Sequence, residues 1–290
     1  SRQYIFDYIE SELIAIEDLL GEPGYSYPQA DQAAAWMLLA RLYLNAEVYT
    51  GTARWADCKT YCDKVINSGA YSLATDYRQN FSADNDGNSN PEMIFAWEQD
   101  GINVQGYVGT TFIIESSSDA VYIRAEDYHG LTENTNWNGN RARIEFLDLM
   151  IDTLATYGGQ PIDPTDLEFE ACPDNRVYLK QKKSLNIPSA SSSGDYGVGV
   201  YKFTARNHDG TLPANYNPAF ACTDYPVFRY ADALMMRAEA NHYLGDNAAA
   251  AADINLIRER AYGNTSGNIT PAMVTPDFLM RERGREFYYE

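Results

Sequence analysis

Residues 32–67 read QAAAWMLLARLYLNAEVYTGTARWADCKTYCDKVIN, and the fold follows from how their apolar and small residues are spaced. Trp36, Leu39, Ala40 and Tyr43 occupy the W-x2-L-G-x2-Y positions of the first helix of a tetratricopeptide-type hairpin, with Ala40 in the small slot. Cys58, Cys62 and Val65 take the A-x3-F-x2-A positions of the second helix, after a lengthened turn. Helices that cross closely need small residues at the crossing. Cys58 and Cys62 therefore read as small buried apolar groups rather than metal ligands or redox thiols. The spacing predicts one helix over 32–49, closed near Gly51, and another over 55–67, stopped by Ser68-Gly69.

Working outward, Ile5, Ile9, Leu13, Ile16 and Leu20 step by three and four and predict an opening helix that ends at Gly21-Glu22-Pro23-Gly24. Towards the other end, residues 230–244 predict a helix halted at Gly245-Asp246. Residues 247–260 predict its partner, with Ala250, Ile254 and Ile257 at the second-helix positions. A lone hairpin cannot cover its own apolar face, so 1–70 and 226–290 are expected to pack as one unit. Between them, 71–225 forms an excursion. It contains strand-like runs at Met93–Trp97 and Thr111–Ile114, an amphipathic helix over 143–157 and a Ser-rich loop over 189–194. The expected fold is mainly α: tetratricopeptide-like hairpins forming an α-α superhelical frame, with a loop-rich, ligand-binding excursion containing short strands.

Composition narrows the function. The chain has 290 residues, 45% hydrophobic and 22% charged, enough for one large core or two modest ones. Its 22 basic residues face 41 acidic ones, a net charge of −19 that repels phosphate backbones, and no basic patch offsets it, so nucleic acid is excluded as a partner. No apolar run reaches the roughly 18 residues of a membrane span, and the residues from Ser1 onward are not expected to be a signal peptide. The 23 Tyr, 11 Phe and 4 Trp make 13% of the chain aromatic. Rings with an apolar face and a polar edge suit extracellular recognition of sugars or peptides, and equally suit a Tyr-rich core with wet rims.

Catalytic patterns are missing: there is no GxSxG, HExxH, Walker loop or GxGxxG. Of three histidines, His129, His208 and His242, the last lies inside a repeat helix. Asp84, Asp86, Asp127, Asp163 and Asp166 stand in loops where solvent keeps carboxylates ionised, and Glu239 is expected to pair with Arg237 or Arg258 on the helical frame. Asp84, Asp86 and Asn88 alternate as in a calcium loop. Ser89 and Phe95, however, stand where an EF-hand needs Gly and Glu, so a polar turn is expected. An oxidising compartment would allow a Cys172–Cys222 disulfide. No enzyme activity, cofactor or metal is expected. The segment from Tyr122 to Arg143 gathers Tyr122, Tyr128, His129, Trp137, Asn138 and Asn140, and of these Trp137, Tyr128, His129, Asn138 and Tyr122, with Tyr107, are the candidate ligand-binding residues. Aromatic planes stack on pyranose faces while Asn and Arg hydrogen-bond the hydroxyls. Trp137, inside a polar aperiodic stretch, reads either as a ligand platform or as an anchor pinning the loop to the core.

The stretches WADCKTYCDKVINSGAYSL (55–73), NPEMIFAW (90–97), WNGNRARIEFLDLM (137–150), YPVFRYADALMMRAEANHYL (225–244) and FLMRERGREFYYE (278–290) together resemble the SusD/RagB family of surface nutrient-binding lipoproteins. The RYADALMMRAEA and RERGREF segments carry the specificity. The resemblance implies a helical frame bearing a divergent binding excursion. It further implies surface exposure at the outer membrane through a lipid anchor and partnership with a SusC-like TonB-dependent transporter. Family members are usually longer, nothing like a lipobox precedes Ser1, and Glu290 falls in a helix-like run, so the chain is expected to be a fragment. The leading function is non-catalytic oligosaccharide capture. Its rivals are capture of a peptide or other nutrient, a repeat scaffold for protein partners, and a glycoside hydrolase. Glycan binding predicts exposed Trp and Tyr clustered on the excursion, a scaffold predicts a groove lined by repeat helices, and hydrolysis predicts two carboxylates within about 10 Å.

Overall fold

The Asp31 carboxylate starts the helix that defines the frame, accepting from the Ala34 backbone N–H at 3.1 Å. It also receives the Gly24 N–H at 2.6 Å and the Tyr71 hydroxyl at 2.7 Å, so one side chain ties the cap to the preceding turn. The structure, a computed structural model, describes residues 1–87, 89–150, 172–185, 187–189 and 193–290. In chain order the elements begin with α1 (Arg2–Glu17), α2 (Gln32–Leu44), α3 (Ala46–Thr50), α4 (Trp55–Asn67) and β1 (Met93–Trp97). Next come α5 (Gly109–Ser117), α6 (Ala125–Tyr128), α7 (Ile144–Met150), β2 (Leu179–Gln181) and β3 (Val198–Val200). β4 (Tyr225–Arg229), α8 (Tyr230–Tyr243), α9 (Asn247–Tyr262) and α10 (Pro276–Phe287) close the chain. The fold is mainly α with short strands, as expected. Among the described residues, no helix is long and apolar enough to cross a membrane.

One compact unit comprises Ser1–Thr75, Asp86–Trp97 and Pro226–Arg283. Its core gathers Met37, Leu39, Ala40 and Tyr43 of α2, Cys58, Cys62 and Val65 of α4, and Ala233, Met236 and Ala240 of α8. The small residues do what their spacing implies: Ala40, Cys58, Cys62 and Ala238 are all fully buried, and Cys58 Sγ lies 3.9 Å from the Met236 carbonyl. The helix expected over 32–49 is instead two, because the Asn45 amide donates to the Arg41 carbonyl at 2.8 Å and competes with the backbone ladder. Gly51, at φ +79°, then ends α3 in the left-handed conformation. The opening stripe is not core: Phe6 is buried while Ile5 is 57% exposed. Ile5, Ile9 and Leu13 line an open apolar groove of about 610 Å³ with Leu38, Leu42 and Val48.

Charges inside this unit are paired. Glu92, fully buried before β1, accepts from Arg229 at 2.5 Å, Arg260 at 3.0 Å and the Ala74 N–H at 2.9 Å. Such a carboxylate is tolerated because every approach to it is cationic or a donor. Arg237 bridges Asp63 of α4 at 2.9 Å and Asp253 of α9 at 2.6 Å, and Arg258 meets Glu282 at 2.7 Å. Neither takes Glu239. Residues two apart on a helix do not face each other, so Arg237 reaches across to its neighbouring helices instead.

The other unit comprises Asp76–Asn85, Glu98–Tyr225 and Gly284–Glu290. β2 and β3 pair antiparallel with Leu179 opposite Val200, over a core including Phe81, Ile114, Leu131, Leu147 and Phe203. The strand expected at Thr111–Ile114 is the helix α5. Thr110, Thr111, Ile114, Glu115, Ser116 and Ser117 of α5 are buried, while Phe112 is exposed. The Thr110 hydroxyl donates to the Thr223 carbonyl at 2.7 Å, and Thr111 Oγ1 accepts from the Ala221 N–H at 3.0 Å. These tertiary bonds override the β preference of the branched residues. Buried cations each meet a carboxylate: Lys182 meets Asp119 at 2.8 Å, Lys202 meets Glu290 at 2.5 Å and Arg176 meets Asp174 at 2.6 Å. Cys222 is a free buried thiol, so no disulfide joins it to Cys172. The Asp84 carboxylate accepts the His208 N–H at 2.8 Å. Asn88, Asp163, Asp166, 190–192 of the Ser-rich loop and 151–157 of the expected amphipathic helix lie outside the described residues.

Candidate functional site

The segment Asn134-Thr135-Asn136-Trp137-Asn138-Gly139-Asn140 owes its path to asparagine. Asn134, Asn136 and Asn138 adopt φ of +57°, +63° and +58°, a left-handed region that Asn enters more cheaply than other non-glycine residues. The backbone is then clamped along the end of α5: the N–H groups of Trp137, Asn138 and Asn140 donate to the carbonyls of Glu115, Ser118 and Ser116 at 3.0, 3.0 and 2.9 Å. Asn136 Oδ1 accepts from the Ala125 N–H at 3.0 Å, and the Asn140 amide donates to Ser116 Oγ at 2.7 Å.

This clamp presents Trp137, 38% exposed, to solvent. Its indole N–H donates to the Asn134 carbonyl. The ring lies 5.6 Å from Tyr107 at 55° and 6.3 Å from Phe112 at 60°, and Tyr107 lies 5.0 Å from Phe220. Tyr107 and Phe112 are each about half exposed, at 49% and 48%. The Asn134 amide donates to the Tyr107 hydroxyl at 3.2 Å. The result is an open aromatic surface with amide groups along its edge, the pairing of apolar faces and short polar groups that a sugar ring needs.

Under it lies Glu115, fully buried. Its Oε2 accepts the Asn136 N–H at 2.9 Å and the Ser118 hydroxyl at 3.3 Å, while Oε1 has no hydrogen-bond partner. Burial raises its pKa to about 7, against the lowering effect of those two donors.

Of the residues singled out by sequence, Trp137 and Tyr107 come together and Asn138 adjoins them. Asn138 packs against Gly194 so closely that a Cβ there would fall 1.9 Å from Asn138 Oδ1. Tyr122 is half-buried, its N–H held by Asp119 at 2.5 Å, and it makes no ring contact with Trp137. Tyr128 belongs to a different cluster, 5.0 Å from Tyr201 and hydrogen-bonded by Lys180. His129 is 1% exposed, its Nδ1–H donating to the Phe203 carbonyl at 2.7 Å. Burial, with a contribution from the Arg78 charge, lowers its pKa to about 4. It sits in the core and cannot touch a surface ligand. Sequence reading missed Phe112, Phe220, Asn134 and Glu115. The signal for Phe112 was present in the spacing of α5, where it is the one large apolar residue off the buried stripe.

Fold and site together define a helical-repeat protein that displays an aromatic surface on a loop-built unit. Residues 174–290 match the family model for the SusD family. The chain is 33% identical over 317 aligned residues to the starch-binding protein SusD of Bacteroides thetaiotaomicron, covering 99% of this chain and 55% of that protein. A SusD-like protein from Bacteroides fragilis superposes with a TM-score of 0.68 at 19% identity, covering 99% of this chain and 58% of the other. Surface glycan-binding protein A from Bacteroides uniformis superposes with a TM-score of 0.65 at 20% identity, covering 98% and 54%. The chain belongs to the SusD family. It spans a little over half the length of these relatives.

Proposed function

We propose that this chain captures an oligosaccharide on the Trp137–Tyr107–Phe112 surface and hands it on covalently unchanged to a SusC-like TonB-dependent transporter. In this reading the protein works at the cell surface, held to the outer membrane by a lipid anchor outside the chain described. The observation that carries the reading is the set of half-exposed rings within 5.6 and 6.3 Å of Trp137, edged by the Asn134 amide. Soluble folds rarely leave such rings open without use. The starch-binding relative at 33% identity supports an α-glucan as the first ligand to test. Tyr122, Tyr128 and His129 stand outside this surface in the proposal, and capture of a peptide by the same rings is the rival the test separates.

Hydrolysis needs a raised-pKa acid that reaches the glycosidic oxygen and a second carboxylate about 5–10 Å away. Glu115 has the raised pKa but is sealed beneath the Trp137 loop. In this reading the surface binds without chemistry. A second reading, docking of a protein on the frame, is favoured by the apolar groove lined by Ile5, Ile9, Leu38 and Val48. Calorimetric titration of maltohexaose decides between them. Trp137→Ala is expected to bind about tenfold more weakly, the ~1.4 kcal/mol of one aromatic stacking contact, with an unchanged melting temperature. A variant that melts several degrees lower and binds normally would make Trp137 an anchor and overturn the assignment.

A further inference from the structure

We infer a second subsite, for the carboxylate of an acidic saccharide, built from Arg78 and Lys180 on a tyrosine ladder of Tyr178, Tyr201 and Tyr128. The Arg78 guanidinium lies 4.9 Å from the Tyr178 ring centre and 6.0 Å from that of Tyr201. Tyr201 stands 5.7 Å from Tyr178 and 5.0 Å from Tyr128. Lys180 Nζ sits 4.7 Å from the Tyr128 ring centre and donates to its hydroxyl. All five residues are half-buried and reach solvent.

In a chain with 41 acidic residues against 22 basic ones, most buried cations meet a carboxylate. The buried cations of the same unit, Arg176, Lys182 and Lys202, each have one. Among the described residues, Arg78 and Lys180 have none. The acids beside Tyr128 and Arg78 in sequence are engaged elsewhere. Glu126 and Asp127 pair with Arg124 at 2.8 and 3.5 Å, and Asp76 caps the Arg78 backbone N–H at 2.8 Å while its other oxygen lies 3.4 Å from His208. Arg78 Nε is buried and has no acceptor, a desolvated donor that a bound anion would satisfy.

The class of ligand follows. A net charge of −19 disfavours dense polyanions such as polyphosphates. Screening over about 8 Å at physiological ionic strength still lets a local pair of cations hold carboxylates spaced one to a sugar ring. Tyrosine faces suit the ring that carries them. A uronic-acid oligosaccharide has both features. The inference rests on the glycan-binding reading for the class of carrier, and on these five residues for its charge.

The test titrates hexagalacturonate, with maltohexaose as the uncharged counterpart, into the wild-type chain, Arg78→Gln, Lys180→Gln and the double variant, at low and at high salt. Wild type is expected to bind hexagalacturonate with an affinity that falls as salt rises. Each single variant should lose about threefold or more and the double variant at least tenfold, with maltohexaose binding unchanged. Wild type that ignores hexagalacturonate, or a folded double variant that binds it normally, overturns the inference. If Arg78→Gln disturbs the tyrosine ladder enough to unfold the chain, Lys180→Gln decides alone, and normal binding there also overturns it. Maltohexaose binding lost in Trp137→Ala, beside hexagalacturonate binding indifferent to Arg78 and Lys180, would remove this subsite and leave the platform standing.

Discussion

Glu115 is the residue on which the Trp137 loop hangs: its carbonyl takes the Trp137 N–H and its carboxyl takes the Asn136 N–H. Because burial raises its pKa from 4.5 to about 7, the folded state holds a proton there that the unfolded chain has released. The contribution to stability is therefore complete below pH ~4.5 and is lost as pH rises through about 7. The whole shift amounts to roughly 3 kcal/mol. Glu115→Gln, which cannot ionise, should flatten that part of the pH–stability curve in urea titrations between pH ~4.5 and ~7. An unchanged slope would mean that the carboxyl is ionised in the folded chain. None of this could be read from sequence, where Glu115 is one of 41 acids and only folding sets it beneath the loop. His129 shows the opposite case. Its polar, aromatic neighbourhood in sequence marks it as a ligand contact, yet the Phe203 carbonyl, far along the chain, draws the ring inward.

At the scale of elements, spacing spoke most clearly where one apolar face had to meet another. The α4 boundaries, Trp55 to Asn67, and the burial of Cys58 and Cys62 were legible because helical period and small residues leave few alternatives. Accordingly, Ala40→Leu or Ala238→Leu should overpack fully buried positions and cost on the order of 1–3 kcal/mol, measured by urea unfolding. A neutral result would mean the repeat register is wrong. α5 was misread because Thr-Thr-Phe-Ile-Ile carries strand propensity, and what makes it a helix is hydrogen bonding to Ala221 and Thr223, more than a hundred residues away. The strands β2, β3 and β4 escaped notice for a related reason. β2 and β3, at 3 residues each, are too short for alternation to show, and Pro226 interrupts the strand pattern of β4.

For the whole molecule, the sequence carried the architecture and the presence of an aromatic surface, through the frame's repeat spacing and through a Trp set in an asparagine-rich loop. It did not carry the membership of that surface, since Tyr107 and Phe112, Trp137, and Phe220 come from three stretches far apart in the chain. If the surface binds and does no chemistry, overnight incubation of the chain with maltohexaose should generate no new reducing ends by chromatography. Products that disappear on mutating one particular carboxylate would make it an enzyme. The most direct test of the central claim is the indole N–H spectrum of the isotopically labelled chain during a maltohexaose titration. The chain has 4 Trp, so the Trp137 resonance can be assigned by its loss in Trp137→Phe. The account predicts that this resonance shifts on adding the sugar while those of Trp36, Trp55 and Trp97 stay in place. A Trp137 resonance that stays fixed at saturating sugar would contradict it.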